Sequence, residues 1–409
     1  MQALAGIRVA EFSAGMAGPW IGRFMAYCGA EVIRIESKKH PDVLRLFVPP
    51  GAPEQGARPQ LSPWFTDWNG GKLFAALDLS RPRAVGLARR LVSCCDVVVE
   101  NYSAGVMDKL GLGYTALARV KPDIIMISSS GYGDSGPNRH YVTWGPNVEA
   151  LAGLSTLSGF PERVCTMTQY AYPDAVSALH GLFAVMCALQ HHRRTGRGQY
   201  INLSQYEATV SALGHVMMEQ LNNGREPRKA GNRSRRAAPH GCYRCRGEDR
   251  WCTIAVLGEP QWRRFCEIVE EPGWAADPRF ATLEARLEHA DELDRRIEGW
   301  TSAREPYEVM VRLQEAGIAA GVAQTAQDLF EHDPQLAERG FFEEVEHFEK
   351  GTEIATGVPL GLTGTPGRTT RSGVALGQDN DYVFGELLGL SPQEIRECVE
   401  AGAIETDDP

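Results

Sequence analysis

A strand, a helix and a second strand follow one another within the first 36 residues, and this unit limits the fold more than any other feature. Ile7-Arg8-Val9-Ala10-Glu11-Phe12 is a strand pattern, Pro19 to Cys28 a helical one stopped by Gly29, and Glu31-Val32-Ile33-Arg34-Ile35-Glu36 a second strand. Strands joined through a helix become parallel neighbours, because only a tight turn makes an antiparallel hairpin. The alternation continues at Asp96-Val97-Val98-Val99 and Asp123-Ile124-Ile125-Met126-Ile127-Ser128, with a helix over Arg81–Val92 before them. Thr195-Gly196-Arg197-Gly198 then turns into Tyr200-Ile201-Asn202-Leu203. The expectation is an α/β fold whose large domain, residues 1–221, is a doubly wound parallel sheet of Rossmann-like type with helices on both faces.

Composition shifts after that. Residues 222–241 are rich in Arg, Gly, Asn and Pro and are expected to form a linker or binding loop. A small α+β domain is expected over 242–324, with strands at Trp251–Val256 and Gly317–Val322. Its helices are expected near Gln261–Val269, Leu283–Trp300 and Tyr307–Ala316. Residues 325–409 are polar and turn-rich, a return segment expected to pack on the large domain and to end in a helix at Pro392–Glu400.

The chain has 409 residues, 43% of them hydrophobic, which is ample for two cores. A net charge of −10 argues against a nucleic-acid partner. No run approaches the length of a membrane span, and the first residues lead into a strand without a signal-peptide pattern, so no membrane partner and a cytoplasmic location are expected. The ten cysteines are scattered, several within apolar runs, as suits reduced thiols. Cys242-Tyr243-Arg244-Cys245, near His240 and Cys252, has the spacing of half a zinc site, but no second ligand pair follows and no metal is expected.

Asp174 stands where Gln169-Tyr170-Ala171-Tyr172-Pro173, an extended segment, meets apolar residues at helical spacing from Ala175 to His192. Two readings are open: an N-cap carboxylate satisfying helix amides, or a carboxylate kept ionised and nucleophilic at a helix mouth. The first strand–helix turn, Ser13-Ala14-Gly15-Met16-Ala17-Gly18-Pro19, would let backbone approach an anion. It lacks the three-glycine dinucleotide fingerprint, although Glu36 lies where a ribose-binding acid would. Arg225, Arg228, Lys229, Arg233, Arg235 and Arg236 crowd one stretch and suit either a phosphate-rich ligand or a solvated linker. Lys72 and Lys109 are further phosphate candidates, and equally ordinary lysines.

Leu4-Ala5-Gly6-Ile7-Arg8-Val9 through Ala17-Gly18-Pro19 to Glu36, then Val98-Val99-Glu100-Asn101-Tyr102, Lys109-Leu110-Gly111-Leu112-Gly113-Tyr114, Thr195-Gly196-Arg197-Gly198-Gln199, Asp277-Pro278-Arg279-Phe280 and Leu388-Gly389-Leu390-Ser391 occur in one order over nearly the whole chain. In this they resemble the family III CoA-transferases, the group of formyl-CoA transferase and the carnitine and bile-acid CoA-transferases. The resemblance implies that residues 1–221 bind coenzyme A, that an acyl-CoA and a carboxylic acid are the substrates, and that no cofactor is tightly bound. It implies Asp174 as the nucleophile, passing through an aspartyl anhydride and an aspartyl-CoA thioester. It assigns oxyanion stabilisation to the backbone of Gly15, Met16 and Ala17, and CoA contacts to Met16, Lys72, Asn101 and Lys109, with Arg233 added from the basic stretch. It also implies an interlocked dimer of ring-shaped chains, homomeric or formed with a related subunit.

There are departures. Formyl-CoA transferase has glutamine where Met16 stands, glutamate where Pro146 falls, and a tetraglycine loop without counterpart here. The related α-methylacyl-CoA racemases pair the aspartate with a histidine for proton exchange; this chain has Gly145 at that place and His140 nearby. Trp20, Trp144, Tyr170 and Tyr172 suit either a bulky acyl group or a core. The pattern is similar to transferases that use succinyl-CoA with dicarboxylic acids, the benzylsuccinate enzymes among them.

Overall fold

The computed structural model describes residues 2–47, 62–348, 351–373 and 375–406. The chain divides into two compact units. One comprises Met1–Ser155, Met167–Arg225 and Gln335–Pro409, and the other Thr156–Thr166 and Glu226–Pro334. The expected boundaries shift accordingly. Most of 222–241 belongs to the second unit instead of forming a separate linker, that unit runs on to Pro334, and it takes in an excursion at 156–166.

The larger unit is built on six strands: β1 (Arg8–Phe12), β2 (Glu31–Glu36), β3 (Leu73–Ala76), β4 (Val97–Glu100), β5 (Ile125–Ser130) and β6 (Gln199–Ser204). All pair in parallel, in the order β3-β2-β1-β4-β5-β6. The chain winds outward from β1 on one side and restarts at β4 on the other. Loops leaving the carboxyl ends of β1 and β4 therefore diverge and open a crevice. Successive residues face opposite layers. Val9, Val32, Val97 and Val99 pack with Ile21, Met25, Ala178 and Val185 of the helices Ala17–Tyr27 and Tyr172–Thr195. Ala10, Phe12, Ile33 and Val98 pack on the other face with Leu87 and Leu91 of the helix Pro82–Ser93 and with Val383, Phe384 and Ile404 from the C-terminal stretch.

Strand β3 was not among the expected strands; its four residues include two alanines, which carry little strand preference. Tertiary structure supplies what propensity lacks. The outward amides of this edge strand donate to Asp379 Oδ2 (Phe74, 2.8 Å) and Asn380 Oδ1 (Ala76, 2.9 Å), so C-terminal side chains close the sheet edge. The stretch expected to be turn-rich also forms an antiparallel hairpin, β10 (Phe342–His347) with β11 (Gly351–Thr356), where the β numbers count the three strands of the second unit.

The Tyr172–Thr195 helix corrects another expectation. At 24 residues and a mean hydropathy of 1.3 over its most apolar window, it is long and apolar enough to cross a membrane. One face lies on the sheet so closely that a Cβ at Gly181 would come within 2.7 Å of Ile21 and 3.0 Å of Ile127. It is a helix laid on a sheet.

In the second unit β7 (His240–Arg244), β8 (Trp251–Ala255) and β9 (Ala319–Val322) form an antiparallel sheet in that order. Trp262, Phe265, Leu293, Ile297 and Val309 fill its core. The expected Leu283–Trp300 helix is two helices, Leu283–Glu288 and Ala290–Thr301, broken at His289. Among the described residues no group of three or more His, Cys, Asp or Glu side chains is placed to hold a metal ion.

Candidate active site

The loop Ser13–Met16 leaves β1 for the helix Ala17–Tyr27 and forms one wall of the site. Gly15 has φ +69°, a left-handed conformation that glycine adopts without penalty. Asn101, just past β4, grips the loop twice: its amide nitrogen donates to the Ala14 carbonyl (2.8 Å) and its oxygen accepts from the Ala14 amide (2.9 Å). The Gly15 amide donates to Asp42 Oδ2 at 3.1 Å, and Arg34 both pairs with Asp42 and donates to the Ser13 carbonyl. Gly18 must be glycine for this arrangement, since a Cβ would lie 2.7 Å from Ser13 Cβ and 2.9 Å from Asn101 Cγ.

Beneath the loop lie six charges, three of each sign. Glu11, Glu36 and Asp42 face Arg34, Arg45 and Lys72, and every one is at most 6% exposed. Arg45 clasps Glu36 through two 2.8 Å bonds. Lys72 Nζ donates to Glu11 Oε1 (2.9 Å), the Pro19 carbonyl (2.8 Å) and Asn69 Oδ1 (3.0 Å). Burial pushes its ammonium down to about 8 although Glu11 opposes the shift. Charges this deep persist only because each is paired and hydrogen-bonded.

Asp174 forms the facing wall. The helix starts earlier than expected: Ala171 is the N-cap, Tyr172 and Pro173 occupy the first two positions, and Asp174 the third. Proline is tolerated there because no helical partner exists for its missing N–H. Asp174 is therefore not the N-cap. Its carboxylate lies near its own amide, which donates to the Ala171 carbonyl (3.1 Å), and near the Ala17 amide at the start of the opposing helix. Burial raises its pKa to about 6, and these two amides restrain the rise. On another side lies Gly145, whose missing Cβ would be 2.5 Å from Asp174 Oδ2.

Between the two walls, at the carboxyl ends of the strands, is a cavity of about 960 Å³. Asp174, Gly15, Met16 and Asn101 line it, while Ala17 does not, although its amide lies near Asp174. The other sequence candidates do not meet there. Lys72 is fully buried below the loop, and a phosphate could reach it only by breaking its pair with Glu11. Lys109 is exposed at the end of the short helix Val106–Lys109; its neighbours Val106 and Leu110 line the cavity and it does not. Arg233 sits in the second unit, held by Asp291 (2.6 Å) and Asp294 (2.7 Å). Lys72 and Arg233 thus have carboxylate partners, and Lys109 does not line the cavity.

Sequence reasoning missed Asp42, His40, Arg139 and Gln205, all on the cavity wall. Asp42 alone carried a signal, a Pro-Asp pair ahead of an apolar stretch, and it does cap the helix Val43–Leu46 through the Leu44 amide (2.7 Å). His140 is exposed and does not line the cavity.

The profile of CoA-transferase family III matches residues 4–380 of this chain. The chain is 31% identical to the succinyl-CoA–D-citramalate CoA-transferase of Chloroflexus aurantiacus, with 95% of each chain covered. It is 30% identical to the succinate–glutarate CoA-transferase of Agrobacterium fabrum, covering 94% of this chain and 95% of that one. Its fold matches the crystal structure of a CAIB/BAIF family protein from Brucella suis with a TM-score of 0.86, at 28% identity, over 94% of this chain and 99% of that one. A six-stranded parallel sheet, an aspartate on the crevice wall at its switch point and a family match over most of the length agree: the chain belongs to family III of the CoA-transferases, which move CoA between an acyl-CoA and a carboxylate.

Proposed function

We propose that Asp174 is the acyl and CoA carrier of this enzyme. Its carboxylate attacks the carbonyl of the acyl-CoA; the C–S bond breaks, giving a mixed anhydride and CoA thiolate. The thiolate attacks the aspartyl carbonyl and releases the donor acid, leaving an aspartyl-CoA thioester. The acceptor carboxylate attacks that thioester and displaces the thiolate, which then attacks the acceptor's carbonyl in the new anhydride and frees Asp174. Each step exchanges one activated acyl group for another, so the chain needs only to place atoms and stabilise oxyanions. The Gly15 amide is committed to Asp42 and the Ala17 amide lies beside Asp174, whereas the Met16 amide has no acceptor among the described residues; it is our candidate for the oxyanion donor.

The observation that carries this reading is the setting of Asp174: a carboxylate on a cavity wall, close to the Ala17 amide and packed against Gly145. The same observation speaks against racemisation, because position 145 offers no second base. For substrate we favour succinyl-CoA as donor and an aromatic dicarboxylate such as benzylsuccinate as acceptor. Tyr141 and Trp144 offer the cavity aromatic surface, Arg139 on the same segment offers a guanidinium for a second carboxylate, and two relatives carry succinyl-CoA or succinate in their names.

An interlocked dimer, with a second copy or a related subunit, fits the apolar side chains left exposed on the larger unit. Leu179 and Phe183 are 55% and 72% exposed, and Met218 and Leu221 of the helix Gly214–Asn223 are 51% and 77% exposed. Ten free thiols suit a reducing cytoplasm. The test is a donor–acceptor screen of wild type and Asp174→Ala. Exchange by the wild type with succinyl-CoA and a dicarboxylate, lost in the variant, is expected. Exchange that survives the substitution would contradict the mechanism; a wild type that uses other acyl-CoAs but never succinyl-CoA would contradict the donor.

A further inference from the structure

Glu149 is a buried carboxylate that the chemistry above does not use. It is 1% exposed, on the helix Gly145–Leu151, and among the described residues none of its partners is a cation. It accepts from the Thr168 amide (2.9 Å), the Thr168 hydroxyl (3.0 Å) and the Ser155 hydroxyl (3.3 Å). Burying a charge with only neutral donors is unfavourable unless the geometry it fixes is worth keeping.

That geometry leads to the nucleophile. Thr168 is held at amide and hydroxyl together, and the next residue, Gln169, is one of three non-glycine residues at positive φ among those described (+62°). A side chain avoids that conformation unless its neighbours impose it. From Gln169 the chain turns, with the Tyr172 amide donating to the Tyr170 carbonyl (2.7 Å), and Asp174 follows. Gly145 and Glu149 lie four residues apart, hence on one face of their helix. Gly145 abuts Ala171 and Asp174 while Glu149 grips Thr168, so this helix meets both ends of the 168–174 segment.

We infer that Glu149 is a positioning residue: by clamping Thr168 and imposing the left-handed turn at Gln169, it sets where the Asp174 carboxylate stands in the cavity. The inference rests on Asp174 being the nucleophile. It also predicts which substitution is tolerated. Glutamine keeps a carbonyl for the Thr168 amide, and its NH2 can donate to the Thr168 hydroxyl, which then turns its proton to the Tyr170 carbonyl 3.0 Å away. Alanine keeps neither bond.

The test compares Asp174→Ala, Glu149→Ala and Glu149→Gln in full-length enzyme, measuring kcat and KM for the acyl-CoA per folded molecule. Glu149→Ala is expected to lose about a hundredfold in kcat with KM within about threefold, as small misplacements of reacting groups do. Glu149→Gln is expected to recover most of that loss. Should the alanine variant not fold, Thr168→Val, which deletes the hydroxyl alone, is expected to lower kcat about tenfold for the same reason. Wild-type kcat in Glu149→Ala or Thr168→Val, or a Glu149→Gln enzyme as slow as the alanine variant, would overturn the inference. With Asp174→Ala inactive, that result removes Glu149 alone; exchange surviving in Asp174→Ala removes the nucleophile and the inference together.

Discussion

The two walls of the cavity are held by opposite means. The Ser13–Met16 wall rests on six buried charges that balance to zero, and Gly18 just after it leaves no room for a Cβ against Ser13 and Asn101. The Thr168–Asp174 wall rests on one buried carboxylate with neutral donors and on a left-handed Gln169, a conformation that costs on the order of 1–3 kcal/mol. One is a platform whose loss endangers the fold. The other is a strap whose loss moves a single reactive group. Substitutions on the first wall should therefore register mainly as stability, and those on the second mainly as rate.

The largest effect expected is on the platform. Lys72→Met takes from buried Glu11 its hydrogen-bonded cation, leaving only Arg34 at 3.9 Å, and should cost about 3–5 kcal/mol, read as a fall in the denaturant midpoint. A stable Lys72→Met enzyme that had lost affinity for CoA would break the comparison and restore Lys72 to the ligand. On the strap, Gly145→Ala drives a methyl to within 2.5 Å of the Asp174 carboxylate and should slow exchange by about a hundredfold with little change in stability.

Acidity sharpens the contrast next. Asp174 must be ionised to attack, and burial holds its pKa at about 6, so kcat/KM of the free enzyme should be level above that pH and fall about tenfold per pH unit below it. An ordinary carboxylate profile, level to pH 4, would mean that the site is wetter than this geometry implies. Arg139→Ala should raise KM for a dicarboxylic acceptor about tenfold and leave a monocarboxylic one nearly unchanged, which steady-state kinetics would separate. The smallest effect is expected at Arg233→Ala in the second unit. It loses two partly exposed ion pairs, with a stability change of about 1 kcal/mol or less and an unchanged KM for acyl-CoA.

The same contrast explains what the sequence disclosed. Strands β1, β2, β4 and β5 are buried on both faces and carry Val/Ile-rich runs that announce themselves, as does the βαβ unit that fixes the parallel sheet. Asp174 was legible because a proline and a long apolar helix frame it; its true place, third in the helix instead of the cap, depends on where Thr168 and Gln169 turn the chain. Strand β3 was hidden because its stability comes from Asp379 and Asn380, about 300 positions away in sequence. The partners of Lys72 and Arg233 were hidden for a related reason. A cation in a sequence carries no sign of the carboxylate that the fold will set beside it, here Glu11 for one and Asp291 with Asp294 for the other.

The central claim is that the Asp174 side chain is itself acylated, and oxygen accounting tests it most directly. An acceptor acid labelled with oxygen-18 in its carboxylate is turned over with unlabelled acyl-CoA, and the peptide containing Asp174 is then weighed. If the acceptor attacks an aspartyl-CoA thioester, one labelled oxygen bridges the new anhydride and stays on Asp174 when CoA takes the acyl group; further turnover passes it to the departing donor acid. The account predicts label in Asp174 and, later, in the released donor acid. Full turnover with no label ever entering the Asp174 carboxyl would contradict it.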